Sequence, residues 1–292
     1  MKSGFVAVTG RPNVGKSTLV NALAGEKVAI VSDKPQTTRR RISAVAEGEL
    51  DGEQFQLVLV DLPGFQRPRD ALTQRMQRTV DESLHDVDGF LFVLAADERI
   101  GAGDRFIAER VFAAGPPVVV ALNKVDRLKP QRIAEQIVEA AALGDFHALH
   151  PVSARNGDGL EPLRADLVAL LPEGPRYFGE GDRTDLPLEA RIAEIVREKA
   201  LELTRDEVPH AISVEVSELD AASGRVGAQV WVETESQKGI VVGKGGSMIR
   251  AIGTRARPEV ESLLGRPVFL DLRVKVRPRW RRDEGALERL GI

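Results

Sequence analysis

The sequence predicts an α/β protein: a mixed, mostly parallel sheet with helices on both faces, followed by a smaller α+β domain. Three observations predict it. Short apolar, β-branched runs alternate with helical stretches as far as residue 171, a pattern that needs crossover connections and therefore parallel strands. Asp51-Gly52 stands between two strand-like runs and adds one antiparallel hairpin. Beyond a Pro/Gly-rich stretch at 172–187, the order becomes helix, strand, strand, helix, helix, strand.

The elements follow in order. Residues 5–9 are apolar and β-branched and read as a buried strand; 18–23 start a helix. Residues 42–50 and 54–60 form the hairpin. Strands at 89–95, 117–123 and 148–152 alternate with helices at 105–114, 131–143 and 160–171. Pro172, Gly174, Pro175, Gly179 and Gly181 mark a semi-stiff linker. In the second domain, 189–203 has apolar residues at helical spacing, and 211–219 and 225–233 alternate as half-buried strands. A short helix precedes Gly243 and a longer one follows it. Pro258 inside the longer one predicts a kink or a restart, and 268–276 is the last strand. The expected division is a first domain at 1–172, a linker at 173–187 and a second domain at 188–292.

Composition narrows the function. The 292 residues are 42% hydrophobic and 29% charged, enough for two ordinary cores and a solvated surface. Net charge is −3, so a nucleic-acid site must be a local basic patch. There are no cysteines, which excludes disulfides and thiolate chemistry and suits a reducing cytoplasm. Met1-Lys2-Ser3-Gly4 runs straight into the first strand, so no signal peptide is expected. The apolar runs are far shorter than the ~20 residues a membrane helix needs. His85, His147, His150 and His210 show no metal-site spacing.

The chemistry begins at Gly10-Arg11-Pro12-Asn13-Val14-Gly15-Lys16-Ser17, followed by Thr18. Gly, four residues, then Gly-Lys-Ser is the phosphate-loop pattern. The glycines let several N–H groups turn toward one anion, and the helix start adds its positive end. Lys16 can reach the β- and γ-phosphates of a nucleotide and the Ser17 hydroxyl can ligate Mg²⁺. A chance Gly-rich turn is the competing reading; the flanking strand and helix argue against it. Asp61-Leu62-Pro63-Gly64-Phe65 ends another strand. Its carboxylate can hold Mg²⁺ through water, and Gly64 lets an N–H approach a γ-phosphate. Asn123-Lys124-Val125-Asp126 ends a third strand. The Asp126 carboxylate can accept two N–H bonds from guanine and none from adenine, which would leave it unpaired. Asn123 would brace the loops and the Lys124 stem would cover the base. Ser153-Ala154, with Arg155 next, ends a fourth strand; the Ala154 N–H could meet guanine O6. The loop at 32–41, with Gln36, Thr37, Thr38, Arg39 and Arg40, reads as a mobile segment. A threonine hydroxyl there, Thr37 or Thr38, could complete the Mg²⁺ shell while the γ-phosphate is present. Residues 66–75 would be a second such segment. Lys16, Thr38, Asp61 and Gly64 are the candidate catalytic residues, and Ser17, Thr38 and Asp61 the candidate Mg²⁺ ligands.

In the second domain, Gly243-Lys244-Gly245-Gly246 lies between two helices. Gly-x-x-Gly there is the loop with which KH domains clamp a single-stranded nucleic-acid backbone, and the element order is that of a type II KH fold. Arg273, Lys275 and Arg277 share one face of the last strand, and Arg279 and Arg281 follow. A solvated edge is the plain reading of such a run; in an otherwise acidic chain, beside the Gly loop, it reads as an RNA contact that also takes in Arg250. With 4% aromatic residues, stacking on rings is not expected to dominate, and Ile240, Val241 and Ile249 would line the groove.

The order GRPNVGKS, QTTRR, DLPGF, NKVD, SA resembles the translation-factor-like GTPases, and with KGIVVGKGGSMIRAIGTRAR it resembles the Era-type family over nearly the whole chain. The resemblance implies a P-loop NTPase domain plus a type II KH domain that bind GTP or GDP with Mg²⁺ and hydrolyse GTP. Phe65 stands where Ras-like proteins carry a water-orienting glutamine, so slow intrinsic turnover is implied. Asn13 is a K⁺ ligand in some relatives, which implies K⁺ as a further cofactor. The implied partners are the 3′ end of 16S ribosomal RNA and the 30S subunit, with a loose peripheral membrane contact and a monomeric chain. Two rivals stand beside this. One is an RNA chaperone that keeps GTP as a structural ligand with negligible turnover. The other is a tRNA-modifying or tandem-domain GTPase, which would need a C-terminal cysteine or a second phosphate loop.

Overall fold

The computed structural model describes residues 1–34, 37–65, 68–84 and 86–292. Gln36, Gln66 and His85 of the sequence reading lie outside the described residues. The chain forms two compact units. Unit 1 runs from Met1 to Asp185 without Ser32–Lys34 and Pro68–Arg75, which group with Leu186–Ile292 in unit 2.

Unit 1 is built on a six-stranded sheet in the order β2-β3-β1-β4-β5-β6. The strands are β1 (Lys2–Thr9), β2 (Ile42–Leu50), β3 (Glu53–Asp61), β4 (Gly89–Ala95), β5 (Val118–Asn123) and β6 (Ala148–Pro151). Only β2 is antiparallel, paired to β3 through the Asp51-Gly52 turn. Asp51 and Gly52 both have positive φ (51° and 82°), as a two-residue hairpin of this hand requires. The helices are α1 (Lys16–Ala24), α2 (Ala71–Ser83, of which Ala71–Arg75 group with unit 2), α3 (Ala102–Ala113), α4 (Pro130–Ala141) and α5 (Leu160–Ala169). Ala7 of β1 points into a cluster with Val80, Ile107, Val111 and Ala140, from α2, α3 and α4. Val6 and Val8, also fully buried, alternate to the other face, where α1 and α5 meet the sheet. Every residue of β4 is buried, which is why its sequence is a continuous apolar run.

Two features of unit 1 depart from the sequence reading. The first is α2, which begins inside the segment read as a mobile loop. Its apolar stripe, Leu72, Met76 and Val80, is spaced by four residues and fully buried. Asp70 starts it by accepting the Thr73 N–H at 2.9 Å. The second is the presumed linker, most of which is fastened to unit 1. Ser3 N–H donates to the Pro172 carbonyl and Gly174 N–H to that of Met1. The buried Gln56 amide oxygen accepts the N–H groups of Tyr177 and Phe178 at 2.7 and 3.0 Å, and its nitrogen donates to the Phe178 carbonyl. Thr184 bridges to Ala44, and Asp185 takes both the N–H and the hydroxyl of Ser43. The stretch covers hydrogen-bonding groups that an edge strand would otherwise expose.

Unit 2 contains a three-stranded sheet, β7 (Ser213–Asp220), β8 (Arg225–Val232) and β9 (Phe269–Val276). The β7–β8 pair is antiparallel and β8–β9 parallel. Its helices are α6 (Leu188–Leu203), α7 (Val208–Ala211), α8 (Glu235–Val242), α9 (Ser247–Leu264) and α10 (Glu284–Arg289). Ile192, Val196 and Ala200 of α6 and Ile252, Ala256 and Val260 of α9 bury one face of the sheet through Val214, Val226, Ala228 and Val230. The restart expected at Pro258 does not occur: α9 runs through it as one helix. Ile252 and Ala256 before the proline and Val260 after it share one buried stripe, so packing on both sides holds the helix across the missing N–H. The C-terminal residues, read only as a basic run, also have a core of their own. The buried Trp280 indole donates to the Ala211 carbonyl at 2.9 Å, and Leu287 and Leu290 are buried. Among the described residues, no helix is long and apolar enough to cross a membrane.

Candidate functional site

Four loops meet at the carboxyl ends of β1, β3 and β5 and just beyond β6. The loop from Gly10 to Gly15 leaves β1 through backbone that side chains resist, with φ of 145° at Gly10, 66° at Asn13 and 98° at Gly15. A Cβ on Gly15 would collide with the Asn123 side-chain amide, so glycine here lets two loops touch. Lys16, the first residue of α1, is 7% exposed. Its ammonium donates to the carbonyls of Gly10 and Arg11 at 3.2 and 3.1 Å. The charge is held with little water, and burial brings its pKa down to about 8, partly opposed by Asp61.

Asp61 is fully buried. Its Oδ2 accepts hydrogen bonds from the hydroxyls of Ser17 at 2.7 Å and Thr38 at 3.2 Å, which lie 3.0 Å from each other. Its Oδ1 has no hydrogen-bond partner among the described residues. Burial raises its pKa, and Lys16 and the two hydroxyls pull it back. An all-oxygen set of one carboxylate and two hydroxyls, with a buried carboxylate oxygen left over, is what a hard divalent cation such as Mg²⁺ accepts. The residues therefore fit the ion. Of the two threonines left open by sequence, Thr38 has its hydroxyl in this cluster. Gly64 lies where a Cβ would press on the Pro12 ring and backbone, at 3.1 Å. Leu62 and Phe65 turn inward and are buried.

The third and fourth loops are joined to the first through Asn123. Its amide nitrogen donates to the Val14 carbonyl at 3.0 Å, and its amide oxygen accepts the Ala154 N–H at 3.0 Å. Lys124 takes a left-handed conformation, φ 70°, which turns the chain so that Asp126 follows beside it. Asp126 Oδ1 accepts the Ser153 hydroxyl at 2.7 Å. One expectation changes here. The Ala154 N–H, assigned to guanine O6, is occupied by the Asn123 brace, so meeting a base would require sharing that hydrogen. Pro12, Thr18 and the exposed Arg155 flank the same cleft.

Unit 2 carries the second candidate site. Gly243, Gly245 and Gly246 all have positive φ (74°, 61° and 77°), but they do different work. A Cβ on Gly243 would lie 2.7 Å from the Met248 backbone nitrogen, whereas Gly245 and Gly246 face open space. The first glycine closes the loop and the others leave room for a phosphate beside exposed Lys244, at the start of α9. Ile240 is exposed, Ile249 half-buried, and Arg250, Arg273, Lys275 and Arg279 are exposed. Three assignments are corrected. Val241 is fully buried in the core, because α8 turns it away from its exposed neighbour Ile240. Arg277 lies over the buried Trp231 ring at 5.1 Å. Arg281 is paired with Asp70 at 2.8 Å within unit 2. Neither guanidinium is a free surface charge.

Residues 5–124 match the family model described as 50S ribosome-binding GTPase, and 207–281 match a KH domain. The chain is 46% identical to the GTPase Era of Nocardioides sp., over 100% of this chain and 96% of that protein. It is 46% identical to GTPase Era of Mycobacterium tuberculosis, over 99% and 98%. Among solved structures it is similar to a variant of Aquifex aeolicus Era bound to GDP·AlF4⁻ (39% identity, TM-score 0.94, 100% of this chain and 99% of that one). It is also similar to Era in complex with MgGDPNP and nucleotides 1506–1542 of 16S ribosomal RNA (39% identity, TM-score 0.91, the same coverage).

The buried ammonium generates a pH prediction. A bound polyphosphate raises the Lys16 pKa above its free value of about 8, so binding above that pH requires proton uptake. Affinity for a nucleoside triphosphate should be level below about pH 8 and then fall roughly tenfold per unit. Titration calorimetry in two buffers of different ionisation enthalpy measures both the slope and the proton. A level profile without proton uptake up to pH ~9.5 contradicts the desolvated-ammonium account.

Proposed function

The chain belongs to the Era family of GTPases, and from that premise we propose a residue-level account of how it binds GTP and RNA. The phosphates lie along Gly10–Thr18, with Lys16 and the loop amides as the donors. Guanine is read by Asp126, with Asn123 and Ser153 fixing the loop and Lys124 lying over the base. Mg²⁺, held by Ser17, Thr38 and Asp61, would neutralise charge that builds up on the phosphate oxygens. Thr38 and Gly64 report the γ-phosphate to the loops they sit in. The observation that carries this reading is the meeting of the Ser17 and Thr38 hydroxyls, from separate segments of the chain, at Asp61 Oδ2, with the buried Oδ1 left without a partner among the described residues.

The same proposal assigns RNA to unit 2. Gly245, Gly246 and Lys244 take the backbone of a single strand, Ile240 and Ile249 the bases, and Arg250, Arg273, Lys275 and Arg279 further phosphates. A similar protein solved with nucleotides 1506–1542 of 16S ribosomal RNA supports the 3′ end of that RNA as the ligand class. A cytoplasmic role in assembly of the 30S subunit follows from that ligand. We read 1–172 with its fastened extension as the nucleotide-binding domain and 188–292 as the RNA-binding domain. The chaperone alternative, with GTP as a structural ligand, rests on Phe65; single-turnover hydrolysis with and without ribosomal subunits separates the two readings. The membrane contact is not carried into this proposal.

Three measurements test the account. Asp126→Asn should cost GTP about two orders of magnitude in affinity and gain XTP, since the amide donates where the carboxylate accepted; unchanged purine selectivity rejects the base assignment. Turnover should be faster in K⁺ than in Na⁺ at matched ionic strength if the left-handed Asn13 helps hold a monovalent cation, and equal rates remove K⁺ from the scheme. Gly245→Asp places a carboxylate in open space at a φ that Asp tolerates. It should weaken single-stranded RNA binding roughly tenfold, the scale of one charge-assisted contact, and leave GTP affinity alone. RNA affinity equal to the parent's rejects the clamp.

A further inference from the structure

A chain of charges runs along unit 1 and joins residues of two nucleotide-loop motifs through acids that belong to none of those motifs. It starts at Arg127, whose guanidinium lies 2.6 Å from Asp97 Oδ2. Asp97 Oδ1 is 3.4 Å from the Lys124 ammonium, which is 3.8 Å from Glu98 Oε1. Glu98 Oε2 accepts from Arg11 at 2.9 Å, and the Arg11 Nε donates to Asp104 at 2.7 Å. The far end is anchored. Asp104 is 1% exposed and also accepts the Gly101 N–H at 2.9 Å, in the first turn of α3. The acidic pair itself is set by the sheet, because Ala96 N–H donates to the Asn123 carbonyl at 2.8 Å just before Asp97. Arg127 and Lys124 hold the Asp97 carboxyl below its usual range although partial burial works the other way.

Arg11 belongs to the phosphate loop and Lys124 to the base loop. Within this chain of charges, Glu98 is the one residue that touches both. We propose that Asp97 and Glu98, on the loop between β4 and α3, are positioning residues that fix the spacing of the phosphate and base loops and thereby set how long a guanine nucleotide stays bound. A nucleotide held at both ends needs the two loops at one separation. The Asn123–Val14 bond supplies one strut on the buried side; the Glu98 carboxylate supplies a second on the solvent side, where it also separates two cations that would repel each other. Neither acid is among the groups assigned to the nucleotide, and each carries a charge of the wrong sign for a polyphosphate. Their removal should therefore leave association unchanged or faster at low salt and raise dissociation. That split distinguishes a positioning role from loss of a direct contact.

The inference rests on the reading that these two loops hold the nucleotide. The test is stopped-flow dissociation of a fluorescent GDP from the full-length protein. Glu98→Gln keeps the shape and removes the charge on a half-exposed side chain. It should raise the off-rate about five- to tenfold, with the on-rate equal to the parent's or higher and the melting temperature of the nucleotide-free protein unchanged. Arg11→Ala should raise the off-rate similarly, and the double variant should do no more than the larger single change, because both remove one strut. Asp97→Asn should act in the same direction by loosening Lys124. An off-rate for Glu98→Gln within about twofold of the parent, or additive effects with Arg11→Ala, overturns the proposal. A parent protein without affinity for GDP would instead overturn the site reading beneath it.

Discussion

A lysine ammonium at the start of α1 and an aspartate carboxylate at the end of β3, both kept from water, are what unit 1 is organised around. Val8 pairs in register with Asp61, so β1 and β3 deliver their loops at the same level. Charges this dry are costly alone. Lys16 is stabilised by two carbonyls and Asp61 by two hydroxyls, and each still carries the mark of its burial in a shifted pKa. The cleft is poised for a ligand that brings negative charge to the first and a cation to the second. The parallel sheet, the glycines and the Asn123 brace all serve to hold that arrangement open.

What could be read from the sequence was whatever repeats locally. Alternating strands and helices announce themselves by period, and Gly-x-x-x-x-Gly-Lys-Ser and Gly-x-x-Gly by spacing, because their chemistry depends on residues next to one another in the chain. What could not be read depends on distant partners. The stripe of α2 was available at Leu72, Met76 and Val80, but its polar surroundings suggested a loop. The stretch at 173–185 has the composition of a linker, and only partners more than a hundred residues earlier, Met1, Ser43, Ala44 and Gln56, show that it is fastened. Val241 and Ile240 are neighbours with the same chemistry, and only the turn of α8 decides which one reaches solvent. Arg277 and Arg281 have the same local sequence character as Arg273 and Arg279, and only the fold, which lays Arg277 over Trp231 and largely covers Arg281 beside Asp70 while leaving Arg273 exposed even in its pair with Asp271, sets them apart. The charge chain through Asp97 and Glu98 falls in the same class, since its partners come from three other segments.

The glycines separate two uses of one property. At Gly15 and Gly243 the missing Cβ makes space for protein, the Asn123 amide in one case and the Met248 backbone in the other. At Gly245 and Gly246 a Cβ would meet nothing, so the missing side chain makes space for no other part of the protein. A motif search scores all four alike. The distinction matters for mutation: a side chain at the first pair strains the fold, whereas at the second it strains only the backbone locally.

Phe65 bears directly on rate. It follows Gly64, at the position where a water-orienting side chain would be most useful, and it is buried among Leu62, Leu84, Phe90 and Ile107, with the Arg110 guanidinium 5.9 Å from its ring. A ring so packed can hold the loop but cannot order water. Asp61 cannot substitute, because its Oδ2 already serves two hydroxyls and its remaining oxygen is the one suited to a cation. On the proposed reading, unit 1's own contribution to hydrolysis would be charge stabilisation by Lys16 and the loop amides. That is a ground on which to expect slow turnover, and a site whose speed is left to be raised by whatever moves the loops carrying Thr38 and Gly64.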